Sequence, residues 1–216
     1  HNTTRIVFTT VLPIIAFSIH HLMLKRSELF TQTLVANLYN ERDRFSNLSM
    51  IDPLTGLYNR RGLENKINML TVPPSGCHFV VLLDIDHFKA YNDNYGHTMG
   101  DQALVQVAIT IRDSVRSRDI VVRYGGGEVL VGGTKDREDY ATQLAERVRL
   151  RVQGLKIPHR FNQLESTTVT LSAGISALDK LDVSSAIRAA DAALYQAKNN
   201  GRNNIQLAPS VQPAAV

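Results

Sequence analysis

The stretch that most constrains this chain is Arg123-Tyr124-Gly125-Gly126-Gly127-Glu128-Val129. Its glycines separate two apolar runs, Ile120-Val121-Val122 and Val129-Leu130-Val131, that are rich in β-branched residues. Runs of that kind favour extended backbone, and a glycine cluster between them favours a tight reversal, so the segment predicts a β-hairpin. Glycine admits φ > 0 at a tip and lets a ligand approach the backbone closely. A hairpin without chemistry would read the same way, so function has to come from what the fold brings beside it.

The elements around the hairpin set the fold class. Gly62 to Leu70 reads as a helix, Pro73-Pro74-Ser75-Gly76 as a loop, and Phe79 to Asp86 as a buried strand ending in two carboxylates. Met99 to Val115 is an amphipathic helix, with Leu104, Val107, Ala108 and Ile111 at helical spacing. Arg137 to Leu150 predicts a second long helix, Thr167 to Ser176 a strand, Ser184 to Asn199 a helix, and Ile205 to Leu207 a short last strand. The resulting β-α-β-β-α-β order predicts an α+β domain with a ferredoxin-like, palm-like antiparallel sheet. In it the end of the first strand and the glycine turn meet at one edge. Residues 208–216 lack periodicity and are expected to be a disordered tail.

The N-terminal part has a different character. Ile6 to Leu24 is almost free of charge, and its 19 residues extend about 28 Å as a helix, close to the hydrocarbon thickness of a bilayer. Lys25 and Arg26 follow, which places the downstream side in the cytoplasm and the helix in the inner membrane. His20 and His21 interrupt the apolar run, so a buried soluble helix is a rival reading; a cleaved signal peptide is another, but the apolar run is long and no small-residue cleavage site follows it. Residues 1–26 are thus the end of a membrane helix with its basic flank. Residues 27–50 form a polar helix with a narrow stripe, Leu34, Leu38, Phe45 and Leu48, that suits a two-stranded coiled coil and a homodimer; a solvated linker helix is the alternative. Asp52-Pro53 and Thr55-Gly56 break the helix and open a domain over 51–207. The chain begins at His1 without a Met, as a fragment of a longer protein would.

Composition narrows the function classes. A hydrophobic content of 44% over 216 residues supports one sizeable core plus extra segments. The net charge of +4 is scattered, without a Lys/Arg run or any Trp, so no nucleic-acid partner is expected. The single Cys77 fits a reducing compartment.

Asp84 and Asp86 flank Ile85 and alternate to the same strand face. Carboxylates at the end of a buried strand are costly unless they are paired or bound to a cation. Magnesium on a nucleotide takes one or two carboxylates plus phosphate oxygens, which gives a motive for phosphoryl transfer. Turn or capping carboxylates would look the same.

Four stretches carry a family resemblance. They are Asp52-Pro53-Leu54-Thr55-Gly56-Leu57-Tyr58-Asn59-Arg60, the run Asp84 to Asp101 (DIDHFKAYNDNYGHTMGD), Arg123-Tyr124-Gly125-Gly126, and Ala193 to Asn203 (ALYQAKNNGRN). Together they resemble the GGDEF domain of diguanylate cyclases, over about residues 50–207. The resemblance implies that two GTP molecules, one on each subunit, condense into cyclic di-GMP with loss of two pyrophosphates. It further implies that Asp84 and the backbone carbonyl of Ile85 hold Mg²⁺ (or Mn²⁺). Asn92 and Asp101 would read the guanine edge, with His97 and Gly100 shaping the loop around the base. Lys89, Lys198 and Arg202 would contact phosphates. Arg116-Ser117-Arg118-Asp119 is similar to the family's inhibitory site for cyclic di-GMP, with Arg116 and Asp119 as its contacts.

The chain departs from the family at the turn, where Gly-Gly-(Asp/Glu)-Glu-Phe is replaced by Gly125-Gly126-Gly127-Glu128-Val129. The resemblance implies that position 127 carries a catalytic, metal-binding carboxylate, and Gly127 has none. Glu128 remains, but strand alternation is expected to point it to the other face. The expectation is a membrane-tethered domain that binds GTP or cyclic di-GMP, with cyclase turnover lost or very low. A working cyclase and a non-enzymatic dimerisation module are the competing readings.

Overall fold

The structure is a computed structural model that describes residues 2–68, 77–135, 139–164, 167–178 and 182–209. The expected loop at Pro73–Gly76, the expected helix start at Arg137 and most of the expected tail (210–216) lie outside the described residues. The chain divides into two compact units, His1–Ser49 and Met50–Val216.

The first unit is helical throughout: α1 (Asn2–Ile6), a π-helical turn (Val7–Val11) and α2 (Leu12–Leu48). Pro13 in the first turn of α2 has no N–H to donate to the carbonyl four residues back, and the widened turn lies directly before it. No break separates the apolar part from the polar one. Phe8, Ile14, Phe17, Leu22 and Met23 are exposed within this unit. Among the described residues this helix alone is long and apolar enough to cross a membrane.

The second unit is a five-stranded sheet flanked by helices. Its elements are α3 (Arg60–Asn68), β1 (Cys77–Ile85), α4 (Phe88–Tyr95), α5 (His97–Ser114), β2 (Ile120–Arg123), β3 (Glu128–Lys135), α6 (Tyr140–Gly154), β4 (Leu171–Leu178), α7 (Val183–Asn199) and β5 (Ile205–Leu207). The sheet order is β2-β3-β1-β4-β5. The first four strands pair antiparallel in the expected split βαβ arrangement, whereas β5 joins β4 in parallel, so the sheet is mixed rather than purely antiparallel. The α7 crossover makes that parallel pairing possible. Strand β4 begins later than expected because Val169 and Thr168 bond back to the 157–158 segment instead of continuing the ladder.

Strand alternation splits the core in two. Phe79, Val81, Leu83 and Ile85 face α5 and α6, packing with Leu104, Val107, Ile111, Leu144 and Val148. Val80 and Leu82 face the other way, onto Leu63 of α3 and Ala186, Ala190 and Leu194 of α7. The alanine spacing lets α7 lie close on the sheet. A Cβ at Gly174 would collide with the Ala190 carbonyl and the Leu194 amide. That close approach brings the C-terminal end of α7 down to the end of β1.

Candidate functional site

The register between β1 and β3 places Asp84 directly opposite Glu128. Directly opposed residues share a sheet face, here the one that α7 covers. Lys198, in the last turn of α7, forms an ion pair with Asp84. Burial pushes the Asp84 carboxyl above the ordinary range and the negative charge of Asp86 adds to this, while Lys198 and Arg202 oppose it. Glu128 is raised in the same way, by burial first and then by Asp84, with Lys198 and Arg60 opposing. The expectation that Glu128 points away from the Asp84 face is therefore corrected: its even register with Asp84 puts both carboxylates together, while a side chain at position 127 would emerge beside Phe88.

The glycines of the turn do not use the left-handed backbone that the sequence allowed. Positive φ among the glycines occurs at Gly56, Gly96 and Gly201. What the turn exploits is the missing Cβ. A Cβ at Gly125 would stand 2.6 Å from Glu128 Oε2, so the carboxylate lies against the bare backbone there. A Cβ at Gly127 would stand 2.8 Å from Phe88 Cδ1, so the Phe88 ring fills the space where that side chain would emerge. The Ile85 amide donates to the Gly127 carbonyl at 3.1 Å and ties the turn to the end of β1.

Below the turn, Asp52 and Arg123 form an ion pair at 3.1 Å, and Arg123 Nη2 donates to the Gly126 carbonyl at 3.2 Å. Burial works against the Asp52 charge, but the Thr55 hydroxyl and amide and the Arg123 guanidinium outweigh it and hold its carboxyl below the usual range. The break at Asp52-Pro53 is thus wired to the glycine turn.

Past β1 the chain makes a sharp corner. His87 adopts left-handed backbone (φ 52°) and starts α4. This helix, which the sequence reading did not place, carries Lys89 and Asn92 three residues apart on one face. After Gly96 (φ 88°), α5 carries His97, Gly100 and Asp101 in its first turns. The Asn92 side-chain amide occupies the place of a Cβ at Gly100, so Asn92 and the start of α5 are in contact only because residue 100 is glycine. Lys89, His97 and Asp101 are exposed.

Asp86 is not part of the Asp84 pair. It is buried and accepts from Thr170 Oγ1 at 2.8 Å, Ser172 Oγ at 2.6 Å and the Asn203 amide at 2.9 Å. The segment it holds has three consecutive positive φ values, Gly201 (100°), Arg202 (61°) and Asn203 (46°). For a non-glycine residue this region costs about 1–2 kcal/mol. His159, also missed in the sequence, is fully buried, and its Nε2 lies 3.2 Å from the His87 carbonyl. The edge contacts of Tyr91 and Tyr95 surround its ring. Neither role carries a local signal, because the partners lie far apart in the sequence.

Arg116 and Asp119 sit away from this corner, before β2. They are paired with each other at 3.0 Å, Tyr140 Oη donates to Asp119 at 2.8 Å, and the Arg116 guanidinium stacks on the Tyr140 ring. Asp119 is buried, and Gly133 leaves the room for it.

The donor set fits a magnesium ion of the nucleotide-bound kind. Two facing carboxylates, both raised by burial first, with Asp86 adding at Asp84 and Asp84 adding at Glu128, are what a divalent cation would relieve. No group of three or more His, Cys, Asp or Glu able to hold a metal occurs among the described residues. Asp84 and Glu128, with the Ile85 carbonyl, would thus hold an ion whose other ligands are phosphate and water.

The profile of the family described as "Diguanylate cyclase, GGDEF domain" matches residues 49–204. The chain belongs to the GGDEF family. Its GGDEF domain is 34% identical over 175 residues to "Diguanylate cyclase VdcA" of Vibrio cholerae, covering 79% of this chain and 50% of that one. It is 36% identical over 177 residues to "Response regulator PleD" of Caulobacter vibrioides, covering 78% and 38%. The chain thus spans half or less of the length of these relatives. Among solved structures it is similar to the coiled coil and GGDEF domain of DgcB from Caulobacter crescentus in complex with c-di-GMP, with TM-score 0.67, 26% identity and coverage of 86% and 99%. It is also similar to the diguanylate cyclase SiaD of Pseudomonas aeruginosa, solved with its activator SiaC, with TM-score 0.63, 30% identity and coverage of 96% and 83%. A GGDEF domain places the chain in cyclic di-GMP signalling, and GGDEF diguanylate cyclases generally use Mg²⁺.

Proposed function

We propose that this GGDEF domain binds GTP at the corner formed by the end of β1, α4, the start of α5 and the end of α7, and that its cyclase turnover is low. Asn92 and Asp101 read the guanine edge beside His97 and Gly100, and Lys89, Lys198 and Arg202 take the phosphates. Asp84, Glu128 and the Ile85 carbonyl hold Mg²⁺, which supplies charge neutralisation at the phosphates. In the reaction, the 3′-oxygen of one GTP forms a bond to the α-phosphorus of the other. The bond from that phosphorus to the β-phosphate bridge breaks, pyrophosphate leaves, and the hydroxyl proton passes to a base. The observation that carries low turnover is Gly127, with Phe88 filling the space beside it. Loss of one charged group from such a site costs about 10²–10³ in rate.

A working cyclase is the second reading, and the register of Asp84 with Glu128 favours it, since the facing carboxylates are intact. In either case the apolar N-terminal helix tethers the domain to the inner membrane with the domain in the cytoplasm. Residues 27–50 pair it with a second copy, so that two GTP sites can face each other. Cyclic di-GMP at Arg116 and Asp119 must displace the internal pairing of those residues, which lowers affinity there. The test is calorimetric titration of the full chain with GTP and Mg²⁺. Binding that Asp101→Ala weakens about tenfold or more supports the reading, since hydrogen bonds to charged groups contribute about 1.5–3 kcal/mol. Absence of GTP binding by the wild type overturns it.

A further inference from the structure

Three residues in the left-handed region follow one another after α7, and the middle one is Arg202. Such a run does not persist on its own backbone preference; the surroundings have to hold it. Two groups do so from outside the turn. Asp86, buried at the end of β1, accepts the Asn203 amide at 2.9 Å, and it is itself fixed by the hydroxyls of Thr170 and Ser172. Arg149 of α6 reaches the Asn203 carbonyl at 3.3 Å and its Oδ1 at 3.0 Å, and is steadied by an ion pair with Glu146. Within the turn, Asn204 Nδ2 donates to the Ala197 and Arg202 carbonyls at 2.7 and 2.9 Å. The bond from the Asn203 amide to Asp86 and the ion pair of Lys198 with Asp84 place this turn at the end of β1, where α4 begins.

We propose that Asp86 and Arg149 are positioning residues that clamp the Gly201-Arg202-Asn203 turn so that Arg202 points at the triphosphate. Asp86 is then neither a metal ligand nor a catalytic residue, although its spacing from Asp84 suggests a pair. Its three hydrogen bonds are all with protein donors and leave it committed to the turn. Arg149 lies on the opposite helical layer from α7 and couples that layer to the phosphate end of the site. The inference rests on the proposed GTP site.

Two measurements test it on the full chain. The first is amide hydrogen exchange without nucleotide: the Asn203 amide is protected in the wild type, and Arg149→Met and Asp86→Asn speed its exchange tenfold or more. Unchanged exchange in both variants overturns the clamp whether or not GTP binds. The second is a double-mutant cycle on GTP affinity with Arg202→Ala. Arg149→Met weakens GTP about fivefold when Arg202 is present and has no further effect in the Arg202→Ala background. The same loss in both backgrounds would mean general damage and would overturn the positioning role. Arg149→Met keeps the folded core if Asp86→Asn does not, because Asp86 is buried and Arg149 is partly exposed. A wild type that fails to bind GTP but shows the protected, Arg149-dependent amide refutes the GTP site and leaves the clamp standing.

Discussion

Asp84 and Glu128 stand opposite each other across β1 and β3, with the Lys198 ammonium paired to Asp84 from above. Burial is the main cause that raises both half-buried acids, and the neighbouring negative charges, Asp86 at Asp84 and Asp84 at Glu128, add to it against Lys198. Asp84 and Glu128 would hold a divalent cation, which would supply the positive charge that offsets them. Glu128→Gln removes one of the two acidic ligands while keeping its shape. It is expected to weaken the Mg²⁺ dependence of GTP binding, so that affinity with and without Mg²⁺ differs less than in the wild type. Calorimetry at matched ionic strength reads this, and an undiminished Mg²⁺ effect would take Glu128 out of the metal site.

Gly127 and Phe88 compete for one space. A methyl group at 127 would meet Phe88 Cδ1 at 2.8 Å and Cγ at 3.2 Å. Overpacking of that kind costs about 1–3 kcal/mol. Gly127→Ala is therefore expected to lower the denaturation midpoint, and adding Phe88→Leu is expected to recover part of the loss. A Gly127→Ala variant as stable as the wild type would show that the ring moves aside freely.

The legible part of the molecule was the part written in local pattern. The hairpin follows from β-branched runs around glycines, the long helices from apolar spacing, and the family from motif resemblance. What escaped depends on distance. Asp86 looks like the twin of Asp84 until its partners appear, and these lie 84, 86 and 117 residues away. α4 lacks a capping signal because it starts from a left-handed His87 rather than from a side-chain cap. Of the two properties expected of the turn glycines, the bare backbone is used at Gly125 and Gly127, and positive φ is not used. The parallel pairing of β5 depends on α7 crossing the sheet, which three residues of strand sequence cannot announce.

Asp52 gives a pH signature. Its folded pKa lies below the ordinary value of about 3.9. The unfolded chain therefore binds more protons in the interval between the two, and the stabilisation present above about pH 3.9 is lost as pH falls through the depressed value. Solvent reaches the Asp52–Arg123 pair, so its contribution is on the order of 1 kcal/mol. Asp52→Asn should be less stable by that amount at pH 7, with the difference shrinking as pH falls below about 3.9, as read by denaturant unfolding across pH. A difference constant down to pH 2 would assign the loss to shape rather than charge.

His159 makes a second pH statement. Burial is the main cause that holds its pKa down, and the bond to the His87 carbonyl opposes it. A carbonyl partner at Nε2 requires the proton there, and Nδ1 has no hydrogen-bond partner among the described residues. The ring is expected to stay neutral with the proton on Nε2, visible in its nitrogen chemical shifts. Because the native state binds fewer protons than the unfolded one, this group's share of stability is present above about pH 6.5 and falls as pH drops below it. His159→Phe should abolish that component and cost about 0.5–1.5 kcal/mol for the lost hydrogen bond, since the Tyr91 amide still donates to the His87 carbonyl at 3.0 Å.

The most direct test of the central claim is the initial rate of cyclic di-GMP formation from GTP and Mg²⁺ by the full chain, measured beside Gly127→Glu. The account predicts that the wild type runs at about a hundredth of the variant's rate or less, in line with the loss of one charged group from such a site. Equal rates, with GTP bound by both, would contradict it.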